Sequence, residues 1–164
     1  YNFVRGLGPC AISIAFWDKT TPIFGVVYDI LNKNLFWGGK KLGAYSNRKK
    51  QLNVSSISDR RLASLCTGLP AHMDLNDNKL TANFWSPLLT FSKVRMIGSA
   101  AMSLVNVASG KADCYIEHEI MIWDVAAGIA LVEGAGGKVI YSYGSRENSM
   151  NVIATNKNLN VELK

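Results

Sequence analysis

The chain has 164 residues, 48% of them apolar and 18% charged, with a formal net charge of +6. That length fits one domain, or the larger part of one, and the composition excludes a disordered chain. No apolar run approaches the ~20 residues a membrane-spanning helix needs, so no membrane association is expected. The opening residues show no secretory leader pattern. The charge is uneven: residues 1–61 carry ten Lys/Arg against three Asp/Glu, and residues 62–164 carry eight against nine. A nucleic-acid surface is the first thought for the basic half. Yet Arg48-Lys49-Lys50 and Arg60-Arg61 have no adjacent aromatic platform and match no nucleic-acid-binding motif, so they read as solvated loops. Cys10, Cys66 and Cys114 are odd in number and in no metal spacing, as expected of reduced, buried thiols in a cytoplasmic protein.

Alternation predicts a strand over residues 11–16, a turn at Asp18-Lys19-Thr20-Thr21-Pro22, a second strand over 23–30, a turn over 31–34 and a third strand over 35–37. That is an antiparallel meander with turns of hairpin length. A basic polar segment, 40–58, follows. The period then changes. Residues 62–67 read as a short strand and 73–85 as an amphipathic helix ended by Pro87. Residues 94–97 are a strand, after which Gly98 turns the chain and Ser99 caps a helix running to Ala108 and stopped by Gly110. A strand over 113–117 leads to an all-round apolar helix over 125–132, closed by Gly134-Ala135-Gly136-Gly137. Strands over 138–142 and 152–155 complete the pattern. Strand–helix alternation at short spacing predicts a layered α/β region after the meander, with no domain boundary inside the chain.

Trp123-Asp124-Val125-Ala126-Ala127-Gly128 is the stretch on which the rest is centred. By spacing alone Asp124 is an N-cap, since a carboxylate there accepts backbone N–H bonds and faces the positive end of the dipole. The alternative at this point is a ligand. Gly128 inside a helix costs about 1 kcal/mol against Ala and predicts close approach of a neighbouring backbone. Val, Ala, Ile and Leu on nearly every side predict a helix buried between other elements. Glu117 and Glu119 precede Asp124 at the end of a strand and, on burial rules alone, are exposed edge charges. His118 and His72 read as surface residues. The Gly98-Ser99-Ala100 turn opens a helix whose free N–H groups can meet an anion or a hydroxyl. Phosphate loops, dinucleotide fingerprints, nucleophile elbows and His-x-x-x-His zinc pairs are missing.

Trp123-Asp124-Val125-Ala126-Ala127-Gly128 with Glu133-Gly134-Ala135-Gly136-Gly137 resembles the second signature of the inositol monophosphatase family. Tyr1-Asn2-Phe3-Val4-Arg5-Gly6 resembles the tail of its first signature. Gly25-Val26-Val27-Tyr28-Asp29, Gly98-Ser99-Ala100-Ala101 and Ala112-Asp113-Cys114-Tyr115-Ile116-Glu117 fall between them in the family's order, so the resemblance covers essentially the whole chain. It implies an α/β layered sandwich, the C-terminal two-thirds of the family's αβαβα arrangement, with a short extra hairpin within 40–58. The chain is then one incomplete domain over 1–164, in which residues 1–61 are the remainder of the antiparallel sheet and 62–164 the α/β part.

The implied chemistry is Mg²⁺-dependent hydrolysis of an inositol or sugar monophosphate by metal-activated water. Asp124 is implied as a ligand to Mg²⁺, Glu117 as acceptor of the substrate's hydroxyls, and Gly98, Ser99 and Ala100 as the polyol side of the site. The acidic front of the first signature and the remaining ligands are expected before Tyr1, so residues 1–164 alone are expected to be inactive and to expose apolar surface. The whole protein is expected to be a cytoplasmic homodimer. Within the family, 3′(2′),5′-bisphosphate nucleotides, fructose 1,6-bisphosphate and histidinol phosphate are the other substrates implied. A reading of another class is a binding module that reuses the fold without catalysis.

Overall fold

The first half of the chain folds as the meander its alternation predicts. The structure, a computed structural model, describes residues 2–47, 50–70, 73–74 and 76–161. Tyr1, Arg48, Lys49 and His72, which enter the readings above, lie outside the described residues. Strands β1 (Ala11–Asp18), β2 (Thr21–Asp29), β3 (Asn34–Gly39), β4 (Gly43–Ser46) and β5 (Lys50–Gln51) pair in sequence order, each antiparallel to the next. Lys19 takes a positive φ of 56° in the first turn. The second turn closes on Asp29, whose carboxylate accepts from the Asn32 backbone N–H at 3.1 Å and from its side-chain amide at 2.7 Å. The segment over 40–58 thus contributes β4 and β5, an extra pairing that widens the same sheet.

A second sheet has the order β7-β6-β8-β10-β9. It comprises β6 (Ser64–Thr67), β7 (Lys93–Arg95), β8 (Cys114–Met121), β9 (Lys138–Tyr143) and β10 (Ser149–Thr155). Strand β6 runs parallel to β7 and to the central strand β8, while β10 is antiparallel to both β8 and β9. Three helices connect these strands: α1 (Asn78–Leu88), α2 (Ala100–Ala108) and α3 (Ile122–Gly134). Helix α3 lies between the sheets, against β1, β2 and β3 on one side and β8, β9 and β10 on the other, with α2 beside it. Phe84 and Leu88 of α1 pack with Leu65, Cys114, Ile116 and Ile153 on the far face of the second sheet. The layers therefore run sheet, helices, sheet, helix.

Residues 125–132 of α3 are buried on every side, as its composition predicts. The first sheet reaches it through Gly25, where a Cβ would stand 2.3 Å from the Ala127 carbonyl oxygen. Gly128 serves α2 instead: a Cβ there would meet the Leu104 side chain at 2.5 Å, so the close neighbour is a side chain and not the expected backbone.

Several element boundaries differ from the sequence reading, and three of them have a clear local cause. Helix α1 begins at Asn78, because the Asp77 carboxylate accepts from Lys79 and Leu80 backbone N–H groups at 2.9 and 3.0 Å; it then runs through Pro87, which forfeits only one bond in a last turn. Strand β8 extends four residues past Glu117, held by β10. Helix α3 starts at Ile122 with Met121 in the cap position and no side-chain cap. Asp124 lies in its first turn and is not the cap.

One buried polar cluster ties the second sheet to the chain that enters and leaves it. Asp113, 7% exposed, accepts from Ser55 Oγ and from the Ser64 backbone N–H at 2.7 Å. Asn156, fully buried after β10, donates to Ser55 Oγ at 2.7 Å and to the Ile57 carbonyl at 2.8 Å. Each buried donor and acceptor here finds a partner, as burial requires.

The outer face of the first sheet is different. Ile12, Ile14 and Phe16 are 53%, 64% and 64% exposed. They stand opposite Tyr28, Val26 and Phe24 in the ladder, and that row continues to Trp37 and Tyr45. A contiguous apolar face above a few hundred Å² is an association site or an aggregation liability. Residues 1–164 expressed alone are therefore expected to bind a hydrophobic dye and to elute above monomer mass. Ile14→Lys and Phe16→Lys should reduce both effects, and a dye-free monomer in size-exclusion chromatography would contradict the expectation.

Candidate active site

A cleft of about 500 Å³ opens where the start of β1, the end of β6, the β7–α2 turn, β8 and the first turn of α3 converge. Clefts at the carboxyl ends of parallel strands are the usual ligand sites of open α/β sheets. Here the parallel pair β6 and β8 supplies the floor. Gly98, Ser99, Ala100, Glu117 and Asp124, all singled out from sequence, line this one cleft.

Asp124 is placed by the burial of α3. Its carboxylate accepts no hydrogen bond from a described residue, and partial burial raises its pKa above the ordinary Asp value. A desolvated carboxylate with no donor at a helix N-terminus is a group suited to a cation. Glu117 is held differently. Its Oε2 accepts from the Tyr115 hydroxyl at 2.8 Å. Burial pushes its pKa up to about 7, the Tyr115 hydrogen bond opposes that rise, and the Asp124 charge adds to it. The carboxyl fits where it does because residue 68 has no side chain: a Cβ on Gly68 would lie 2.4 Å from Glu117 Oε1.

A β-bulge decides which acid faces the cleft. Val152 pairs with Glu117 and Met150 with Ile120, so two residues of β8 oppose one of β10. Glu119 takes φ 56° within the bulge. The side-chain alternation is reset, and Ile120 joins Glu117 in the cleft lining while Glu119 does not. Glu119 instead accepts from the Ser145 backbone N–H and from Ser149 Oγ, each at 2.8 Å, which hold its pKa down at about 2. His118 is half-buried, with Nδ1 3.3 Å from Asn151 Oδ1. It stays outside the cleft lining.

On the opposite wall, Gly98 turns at φ 70° and Ser99 Oγ accepts from the Met102 backbone N–H at 3.4 Å. The first N–H groups of α2 have no partner within the helix. Asn2 braces this turn, donating from Nδ2 to the Pro9 and Ile97 carbonyls at 2.8 and 3.1 Å. Sequence reasoning assigned no role to Asn2, Cys10, Ser13, Thr67, Gly68 or Tyr115. The available signal was Gly68 directly after an apolar strand. All three cysteines are free and buried as expected, and burial raises the thiol pKa of Cys66 and Cys114.

The lining contains two carboxyls and, among the described residues, no Lys, Arg or His. An anionic substrate would meet net repulsion here without a cation. Asp124 suits a hard cation as one oxygen ligand, with Glu117 near it. Among the described residues no three His, Cys, Asp or Glu side chains gather as a metal shell, so further ligands would come from water, substrate or other groups.

Residues 1–163 match the profile described as the Inositol monophosphatase family. The Nus factor SuhB of Xylella fastidiosa is 35% identical over 138 residues, which are 84% of this chain and 50% of that protein. Inositol monophosphatase 3 of Solanum lycopersicum is 36% identical over 162 residues, 96% of this chain and 60% of that protein. The fructose-1,6-bisphosphatase/inositol-1-monophosphatase of Aquifex aeolicus is 31% identical over 158 residues, 96% of this chain and 59% of that protein. Among solved structures, inositol monophosphatase from Anabaena (Nostoc) superposes with a TM-score of 0.84 at 35% identity, covering 96% of this chain and 63% of that one. The chain thus spans between half and two-thirds of the length of these proteins.

The Glu117 carboxyl has a consequence for stability that needs no ligand. Folding raises its pKa from 4.5 to about 7, so between those values the folded chain keeps a proton that the unfolded chain releases. Its contribution is fully present below pH 4.5 and is lost as pH rises through about 7. Glu117→Gln retains an acceptor for Tyr115 but cannot ionise. It should gain on wild type by on the order of 2 kcal/mol between pH 5 and pH 8, read from urea unfolding at both values. A difference that does not change with pH would show that the carboxyl is not held as described.

Proposed function

Because the chain belongs to the inositol monophosphatase family, we propose that its cleft is the alcohol side of a phosphomonoesterase site and that the whole protein hydrolyses an inositol or sugar monophosphate with Mg²⁺. The observation that carries this is the Asp124 carboxylate, unpaired at the first turn of α3 in a cleft without a basic residue among those described. In that setting a divalent metal, when bound, supplies charge neutralisation for phosphate and an activated water. Asp124 would be one of its ligands. Glu117, deeper in the cleft, would accept a hydrogen bond from a substrate hydroxyl. The N–H groups opening α2 at Ser99 and Ala100, behind the Gly98 turn, would complete the polyol wall.

This reading takes the whole protein as a cytoplasmic homodimer without a nucleic-acid partner. The free, buried thiols suit a reducing compartment, and no helix among the described residues is long and apolar enough to cross a membrane. Fructose 1,6-bisphosphate stands next as substrate, in keeping with the double name of the Aquifex relative; 3′(2′),5′-bisphosphate nucleotides and histidinol phosphate follow. A non-catalytic binding module is the second reading, supported by the bare apolar face of the first sheet.

Phosphate release by the whole protein from inositol 1-phosphate, with millimolar Mg²⁺ and then with a chelator, separates the two. Asp124→Asn should weaken Mg²⁺ dependence and lower turnover by about 100-fold or more. Unchanged metal dependence would return Asp124 to a structural role in the first turn, and no phosphate release from any of these substrates would favour the binding module. Glu117→Gln should lose more on inositol 1-phosphate than on p-nitrophenyl phosphate, which offers no ring hydroxyl; equal losses would remove Glu117 from the alcohol side.

A further inference from the structure

We infer that Tyr115 and Gly68 together fix the reach and direction of the Glu117 carboxylate, making Tyr115 the positioning residue that gives the site its preference for a hydroxyl-bearing alcohol group. The inference rests on the phosphomonoesterase reading above. It starts from three facts of placement. Tyr115 is fully buried, among side chains of the helical layer and the second sheet. Its hydroxyl lies on the ring axis, so ring flips do not move it, and it donates to Glu117 Oε2 at 2.8 Å. Gly68 lies against the other oxygen, with a Cβ position 2.4 Å from Oε1 and 2.7 Å from Cδ.

The two contacts differ in kind. The phenol supplies a donor that cannot ionise at working pH, because burial raises its pKa far above the ordinary Tyr value. Gly68 supplies room. Its φ lies outside the left-handed region, so an alanine backbone would be unstrained and only the space would change. With Oε2 occupied by Tyr115, Oε1 remains as the acceptor for a ligand. A carboxylate oxygen accepts from a hydroxyl and repels a phosphate oxyanion, so the cradle selects the neutral, hydroxyl-bearing end of a substrate. Alternation along β8 puts Tyr115 and Glu117 on one face, and the bulge at Glu119 ends that alternation immediately beyond them.

The test uses the whole protein with inositol 1-phosphate and p-nitrophenyl phosphate as probes. Tyr115→Phe should raise KM for inositol 1-phosphate about 10-fold, the worth of one hydrogen bond, with kcat changed less than about 3-fold. On p-nitrophenyl phosphate kcat/KM should stay within about 2-fold. The double variant Tyr115→Phe/Glu117→Ala should match Glu117→Ala alone within about 2-fold on inositol 1-phosphate, because Tyr115 acts only through the side chain at 117. Gly68→Ala should show the same split between the two substrates, which keeps the test open if Tyr115→Phe does not fold. Equal losses on both substrates, or additive effects in the double variant, would overturn the positioning role. Wild-type hydrolysis of the aryl phosphate but not of inositol 1-phosphate would overturn this inference and leave the phosphomonoesterase reading standing. Hydrolysis of neither would overturn both.

Discussion

The carbonyl of Ala127 lies 2.3 Å from where a Cβ on Gly25 would be, so the first sheet rests directly on the backbone of α3. With α2 seated against Gly128 and the second sheet beneath, this helix is constrained from every side. Close packing of that kind does more than bury apolar area. It transmits position, so the first turn of α3 cannot slide or swing to carry Asp124 into solvent. The half-buried state of that carboxylate is therefore imposed by the core, and its unmet need for a counter-charge follows from packing several residues away.

Electrostatics within the cleft then follow from backbone geometry. Glu117 and Glu119 are two residues apart on one strand, yet one is pushed up to about 7 and the other held at about 2. Burial dominates the first and backbone donors dominate the second. The single extra residue of the bulge assigns each acid to its environment, so one carboxyl becomes a buried hydrogen-bond acceptor facing the cleft and the other a structural anion for Ser145 and Ser149. Separating two like carboxyls by environment is how a protein gives them different work.

Much of this was legible in the sequence where the pattern is local. Alternation marked the meander, glycines marked the stops of α2 and α3, and the composition of α3 announced its burial. Motif spacing brought Gly98, Ser99, Ala100, Glu117 and Asp124 forward, and the fold gathers them in one cleft. What was illegible depends on pairings across the chain. The extension of β8 beyond Glu117 needs β10 as partner. The bulge needs the register with Met150 and Val152. Asp124 read as a cap because the true cap position, Met121, has no side chain able to announce itself. Tyr115 and Gly68 carried no signal as a pair, because their link is a carboxylate that neither sequence position implies.

The Asp113 cluster bears on how such a chain is made. Its hydrogen bonds join residues separated by 49, 58 and 101 positions. Contacts of that span reward the chain only after long loops have closed. During synthesis Ser55 emerges 58 residues before Asp113 and 101 before Asn156. Until Asn156 emerges, Ser55 Oγ and the Ile57 carbonyl have no Asn156 amide to satisfy them, and the second sheet lacks β10 along the edge of β8. Between the emergence of β8 and that of β10 the nascent chain therefore holds an open strand edge beside an incomplete polar knot, and closure of both waits on the same segment. Strand β10 and the asparagine behind it act as the latch of the second sheet.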